Sequence, residues 1–214
     1  IESIEIKALW KGGRHIEWKL RPDVNILSGI NGVGKSTIIN HSAKGLKMID
    51  NGELTPGEVV EGVTIRLFPA DATSIKFDVI RSFDRPLVNS DSMRKVLDAS
   101  VTTELDWQLY QLQRKYLDYQ VNIGNRIIEV LQSGEPDAAE RAQKISEPKK
   151  KFQDLVDKLF AETGKRLVRT KNEILFSQIG EELTPYQLSS GEKQLLAILL
   201  TVLTEDNQHY VLFM

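Results

Sequence analysis

Ile4, Ile6 and Ala8 alternate with polar or charged residues, and Ile16, Trp18 and Leu20 do so again after Gly12 and Gly13. A period of two on both sides of a glycine pair predicts a β-hairpin. The apolar run at 24–27 reads as a short buried-type strand that feeds a glycine-rich turn, and residues 36–48 read as the helix behind that turn. Strand character returns over 59–67 and 75–80, with Pro69 and Asp71 breaking between them, which predicts a strand meander.

From Thr103 the period lengthens. Leu105, Leu109, Leu112, Tyr116, Tyr119, Ile123, Ile127 and Val130 recur at steps of three and four, marking one face of a helix. The break at 133–136 ends it. A second helical stretch over 137–163 carries Ala142, Ile145, Phe152, Leu155 and Leu159 on one side, with Gly164 as its stop and a kink expected at Pro148. Roughly thirty residues at about 1.5 Å each make this hairpin an arm of about 45 Å at most. Residues 167–176 read as a strand, a helix starts near Ser190 and continues through the apolar stretch 195–203, and 210–214 reads as a last strand. The expected organisation is an N-terminal lobe (1–100), a helical-hairpin insertion (101–165) and the C-terminal part of the core (166–214).

Composition narrows the class. A hydrophobic share of 41% with 27% charged residues is ordinary for a folded α/β domain, and the longest apolar stretch is about half of what a bilayer requires. Nothing at the start resembles a secretory signal, so a cytoplasmic location is expected. The absence of cysteine excludes disulfides and thiolate chemistry, and His15, His41 and His209 show no metal-ligand spacing. A net charge of −2 gives no global attraction for nucleic acid. The chain opens on Ile1 and closes on an apolar run with no turn after it, so it reads as part of a longer protein.

The sharpest motif is Gly29-Ile30-Asn31-Gly32-Val33-Gly34-Lys35-Ser36, a gapless GxxxxGKS phosphate loop set between an expected strand and an expected helix. Glycines allow the backbone N–H groups to surround phosphates, and the helix start adds positive potential. ATP with Mg²⁺ is the expected cofactor pair. Val33 lies within the cradle, Lys35 is placed to neutralise the β- and γ-phosphates as the catalytic cation, Ser36 to ligate the metal, and Thr37 to lie near the α-phosphate. A plain glycine turn is the competing reading, and it does not explain the Lys-Ser ending.

Leu188-Ser189-Ser190-Gly191-Glu192-Lys193-Gln194 precedes an apolar helix. Read alone it is an N-cap, with Ser189 or Ser190 capping and Glu192 in the first turn. Following the phosphate loop in the same chain, it resembles the signature motif of ABC ATPases, usually LSGGQ or LSGGE, with Ser190 where many members have glycine. That resemblance implies an α/β P-loop NTPase of ABC-ATPase type, carrying an N-terminal β-meander and a short helical-hairpin insertion. It adds Ser189, Ser190, Gly191 and Glu192 to the nucleotide-binding set, facing the γ-phosphate held by a second copy. The opening up to Gly32 resembles the RecF, SMC and OLD-type branch, and LSSGEKQLL resembles stand-alone bacterial AAA-family ATPases, several of them in phage defence.

The resemblance further implies an ATPase that forms a nucleotide-dependent homodimer in DNA repair or phage defence, with no membrane partner. An ATP-switched assembly module for a nuclease, with little turnover, and a transporter subunit are the alternatives; the long interval between Ser36 and Leu188 disfavours the transporter. The family's Walker B Asp-Glu would follow Met214. Its Q-loop glutamine has no obvious counterpart; Asp84, Asn89 and Gln108 are candidates by position. Lys149, Lys150, Lys151, Lys165, Arg166, Arg169 and Lys171 read first as a solvated face, and a DNA backbone along them is implied by the resemblance alone. Trp10, Lys11 and Arg14 are placed near an adenine by the first hairpin.

Overall fold

The structure is a computed structural model that describes residues 1–9, 13–30, 32–60, 62–79, 100–205 and 210–213. It is a mixed α/β fold. The chain divides into two compact units, Ile1–Val79 with Asn207–Met214, and Ile80–Asp206. Among the described residues no helix is long and apolar enough to cross a membrane.

In the first unit, β1 (Ser3–Leu9) pairs antiparallel with β2 (Arg14–Lys19), as the alternation predicts, with Ile4 opposite Trp18 and Ile6 opposite Ile16. On its other edge β1 takes β4 (Val63–Arg66), which is followed by β3 (Val59–Val60), giving the order β2-β1-β4-β3. Ile4 lies opposite Ile65 and Ile6 opposite Val63, so the buried members of both strands share one face. Helix α1 (Lys35–Asp50) closes that face with Ile38, Ser42, Gly45, Leu46 and Ile49, spaced by one, three and four residues. The Ser42 hydroxyl donates to the Ile38 carbonyl at 2.8 Å, which satisfies the one polar side chain of this stripe. Each fully buried Leu or Ile here stabilises the unit by about 1.5–3 kcal/mol. A parallel pair, β5 (Lys76–Val79) with β9 (Tyr210–Phe213), sets Phe77 and Phe213 against the same core.

The expected strand at 24–27 does not form. The Asn25 side chain accepts from the Arg21 N–H at 2.9 Å and donates to the Arg21 carbonyl at 2.8 Å, so a local turn takes the hydrogen bonds that a ladder would need. Val24 and Ile26 are exposed, and Leu27 packs partly on the core.

The second unit is built on α2 (Glu104–Gln132), α3 (Ala138–Leu159) and α4 (Ser190–Thr204). Helix α2 begins with a capping box: the Thr103 hydroxyl accepts from the Asp106 N–H at 3.1 Å, and the Asp106 carboxylate accepts from the Thr103 N–H at 3.1 Å. Its buried Leu105, Leu109, Leu112, Tyr116, Tyr119 and Ile123 are six of the eight residues that the period singles out, Ile127 and Val130 being only half-buried, and α2 packs on both α3 and α4. The kink expected at Pro148 does not divide α3. The proline removes the one N–H that would reach the Lys144 carbonyl, and it lies on an exposed face where water can take that place. The helix stops at Leu159, short of the expected 163, and a 3-10 turn at Ala161–Thr163 ends on Gly164 at φ 69°.

Residues 167–176 are not one strand. Strands β6 (Arg166–Leu167), β7 (Phe176–Gln178) and β8 (Glu181–Leu183) form a small antiparallel sheet in that order, and 168–175 bends between the first two. The polar run from Arg169 to Glu173 interrupts the alternation that a continuous strand needs. Phe160 and Phe176, with ring centres 5.3 Å apart, hold this sheet to the end of the arm.

Candidate functional site

Two positions before α1 have a backbone that glycine accepts most readily. Gly32 (φ 83°) and Gly34 (φ 98°) occupy the left-handed region, and a Cβ on Gly29 would stand 2.9 Å from Cγ1 of Val33. The Val33 N–H donates to the Ile30 carbonyl at 3.3 Å, closing the turn. Asn31 lies outside the described residues. Lys35 folds back across this loop: its ammonium donates to the carbonyls of Gly29 at 2.6 Å and Ile30 at 3.0 Å.

Gly34 caps α1 with no side-chain hydrogen bond, and the first turn contains no acidic residue. The first helical hydrogen bond runs from the Ile38 N–H to the Gly34 carbonyl at 3.0 Å, so the N–H groups of Lys35, Ser36 and Thr37 precede the ladder. An uncompensated helix start, a lysine and a glycine backbone coincide here, and all three favour an anion. Ser36 is exposed and Thr37 half-buried.

Next to the loop is a cavity of about 350 Å³. Ile16 of β2, Leu27, Val33 and Ile38 give it apolar walls, while His15, Ser28 and Lys35 supply polar groups. His15 Nε2 lies 3.1 Å from the Glu5 carboxylate, which ties the ring to β1. Sequence reasoning gave His15 and Ile16 no role. Of the hairpin residues it placed near a base, Trp10 and Lys11 are outside the described residues.

The second group of candidates lies in the other unit. Ser189 caps α4 in a capping box with Glu192: the Ser189 hydroxyl accepts from the Glu192 N–H at 3.4 Å, and the Ser189 N–H donates to the Glu192 carboxylate at 2.9 Å. Ser189, Ser190 and Gly191 are exposed, and a Cβ on Gly191 would meet nothing within 4 Å. Glu192 instead turns inward. Its carboxylate also accepts from Lys165 at 2.9 Å, from the Thr163 hydroxyl at 2.8 Å and from the Ser189 hydroxyl at 3.0 Å. Burial alone would raise its pKa, but the bonds from Lys165, the Ser189 backbone, Thr163 and the Ser189 hydroxyl outweigh burial and hold it at about 2.

Among the other candidates, Gln108 sits near the start of α2, and Asp84 and Asn89 lie outside the described residues. The basic strip is largely occupied by neighbours. Lys149 donates to Gln120 at 2.6 Å, Lys151 pairs with Glu147 at 2.7 Å, Arg169 with Asp157 at 2.5 Å, and Lys171 with Glu182 at 2.7 Å. His41 sits half-buried on α1. No family model matches the chain, and no curated protein matches it in sequence.

Proposed function

We propose that the chain is the ATP-binding head of an ATPase of ABC type, with a P-loop NTPase core, from the RecF, SMC and OLD-like branch. One observation carries this reading: Lys35 folded over a loop that needs glycine at 32 and 34, at the uncapped start of α1 and beside a cavity with apolar walls. The backbone N–H groups of Gly34, Lys35, Ser36 and Thr37 take the phosphate oxygens, Lys35 neutralises the β- and γ-phosphates, and the Ser36 hydroxyl is the protein ligand to Mg²⁺. A cavity of about 350 Å³ is within the range of small-molecule sites, and its apolar walls suit a nucleoside.

When bound, ATP supplies a γ-phosphoryl group for transfer to water. The exposed Ser189–Gly191 turn at the start of α4 faces the γ-phosphate held by a second copy and brings the positive end of that helix to it, so ATP draws two copies together and hydrolysis releases them. The test is calorimetric titration with ATP and Mg²⁺. The wild-type chain binds, and Lys35→Ala loses the nucleotide while remaining folded; equal affinity in the two proteins would contradict the assignment.

A further inference from the structure

The hairpin of β7 and β8 turns on Ile179 and Gly180, with Gln178 and Glu181 as its closing pair. Both turn residues are left-handed, at φ 51° and φ 81°, a two-residue turn that asparagine followed by glycine serves best. Among the described residues Ile179 is the only one other than glycine with a positive φ, and its branched Cβ makes that conformation costly. The side chain recovers almost nothing within the chain, being 97% exposed. Backbone strain that serves no contact inside the molecule points to a contact outside it.

A socket lies beside this knob. The last turn of α3, the 3-10 turn and the start of β6 enclose a cavity of about 320 Å³, lined by Ala161, Gly164 and four charged residues, Asp157, Lys158, Lys165 and Arg166. The hairpin is tied to its wall: the Gln178 amide donates to the Thr163 carbonyl at 2.8 Å, and Arg166 of β6 is the register partner of Ser177 on β7. Knob and socket therefore share one patch of one unit, yet at 97% exposure Ile179 does not enter the cavity of its own chain.

The charges around the two features are complementary. In the cavity wall, Asp157 is held by Arg169 at 2.5 Å and Lys165 by Glu192 at 2.9 Å. Lys158 and Arg166 are exposed and carry no ion pair among the described residues. On the hairpin Glu182 is taken by Lys171 at 2.7 Å, whereas Glu181, two residues past Ile179, is exposed and carries none. Glu162, the exposed acid of the 3-10 turn, does not line the cavity.

We propose that the hairpin and this cavity form a self-association surface, in which Ile179 of each copy enters the cavity of the other and Glu181 meets Lys158 and Arg166. An apolar side chain followed by a free acid matches a small cavity bordered by two free bases, and this match selects a second copy as the occupant. Because knob and socket lie side by side, both contacts form around a single twofold axis, and the assembly closes as a pair instead of growing into a filament. The surface requires no nucleotide and does not include the Ser189–Gly191 turn, so it goes beyond the function proposed above and stands apart from it.

The test uses the whole chain without nucleotide, as wild type, Ile179→Asn, Lys158→Glu, Glu181→Lys and the double reversal Lys158→Glu with Glu181→Lys. Sedimentation over a range of concentrations reads pairing, and the thermal midpoint is taken where each protein is monomeric. The wild type is expected to pair reversibly. Ile179→Asn needs about tenfold more protein or higher to pair, because the buried knob is lost. Its midpoint rises by a few degrees, since asparagine accepts the left-handed turn. A change that stabilises the monomer while weakening the pair is not a folding defect. Each single reversal weakens pairing about fivefold, and the double reversal restores it.

A wild type that stays monomeric at about millimolar concentration overturns the proposal and leaves the hairpin to a partner of another kind. Pairing of Ile179→Asn at the wild-type concentration overturns it as well. So does a lower midpoint in Ile179→Asn together with lost pairing, which makes the turn a folding element. A double reversal that pairs no better than either single one rules out the mutual docking of knob and socket. None of these outcomes bears on ATP binding at Lys35, which calorimetry on the same proteins reads separately.

Discussion

Gly45 lets α1 lie directly on Ile65 of β4. A Cβ on Gly45 would stand 2.8 Å from Cδ1 of Ile65, a side chain 1% exposed and held opposite Ile4. Alanine there gains about 1 kcal/mol of helix propensity, and the gain is offset by displacing the terminal methyl of a buried side chain. Gly45→Val adds two further carbons. It is expected to destabilise the first unit by about 2 kcal/mol or more in chemical denaturation, with Gly45→Ala close to neutral. Wild-type stability of the valine variant would mean that α1 does not press on β4 as described.

The same substitution at two other glycines has opposite expected signs. Gly34 has φ 98°, where alanine is strained, so Gly34→Ala should cost about 1 kcal/mol or more and weaken ATP binding. Gly124 is inside α2 with nothing within 4 Å of its missing Cβ, so Gly124→Ala should raise stability by about 0.5–1 kcal/mol and leave ATP binding unchanged. Thermal midpoints and calorimetric affinities of the two variants check the pair. If both move the same way, backbone conformation is not what sets glycine in the loop.

These contrasts mark what the amino-acid order made legible. Strands β1 and β2 and helices α1, α2 and α4 follow from periodicity, because one face of each is buried and the period records that face. The 24–27 run has the same apolar content, yet its fate is decided by the Asn25 side chain closing on Arg21, a local competition that hydropathy does not register. The Ser189–Glu192 box was legible because its partners lie three residues apart. Lys165, which meets Glu192 from a position 27 residues earlier, was not. His15 and Ile16 escaped for a related reason: the cavity by Lys35 draws its walls from a strand, a loop and a helix distant in sequence. A charge pattern in the first turn of a helix hints at partners, but only the packing of α2, α3 and α4 names them.

Glu192 should leave a mark on the pH dependence of stability. Its carboxyl is lowered from the ordinary 4.5 to about 2 in the folded chain. A lowered carboxyl stabilises the fold above its unfolded value, and that contribution is lost as pH falls through the folded value. The stability tied to Glu192 is therefore full above pH 4.5, declines between pH 4.5 and about 2, and is gone below, with a total on the order of 3 kcal/mol. Denaturation midpoints taken from pH 6 down to pH 2 should fall more steeply in the wild type than in Glu192→Gln. Asp106, also lowered, contributes to the slope of both proteins, so the difference between the two curves isolates Glu192. Parallel curves would show that its carboxylate is not held by Lys165 and Ser189.

Lys193 of α4 and Asp106 of α2 form an enclosed ion pair at 2.7 Å, and the cost of breaking it depends on which partner is removed. Lys193→Met leaves a carboxylate buried at 1% exposure with Thr102 and Thr103 still bonded to its other oxygen; losing one member of such a pair costs about 3–5 kcal/mol. Asp106→Asn keeps an acceptor for Thr102 and Thr103 but leaves the ammonium of Lys193 enclosed without its counter-charge. Combining the two removes both charges and keeps the cap of α2, so the double variant should be more stable than Lys193→Met alone. A double-mutant cycle on denaturation free energies is expected to give a coupling of about 2 kcal/mol or more between α2 and α4. Additive effects, with the double variant the least stable of the set, would mean that the two side chains act independently. In that case Asp106 would serve only as the cap of its own helix, and the start of α2 would have no electrostatic hold on α4.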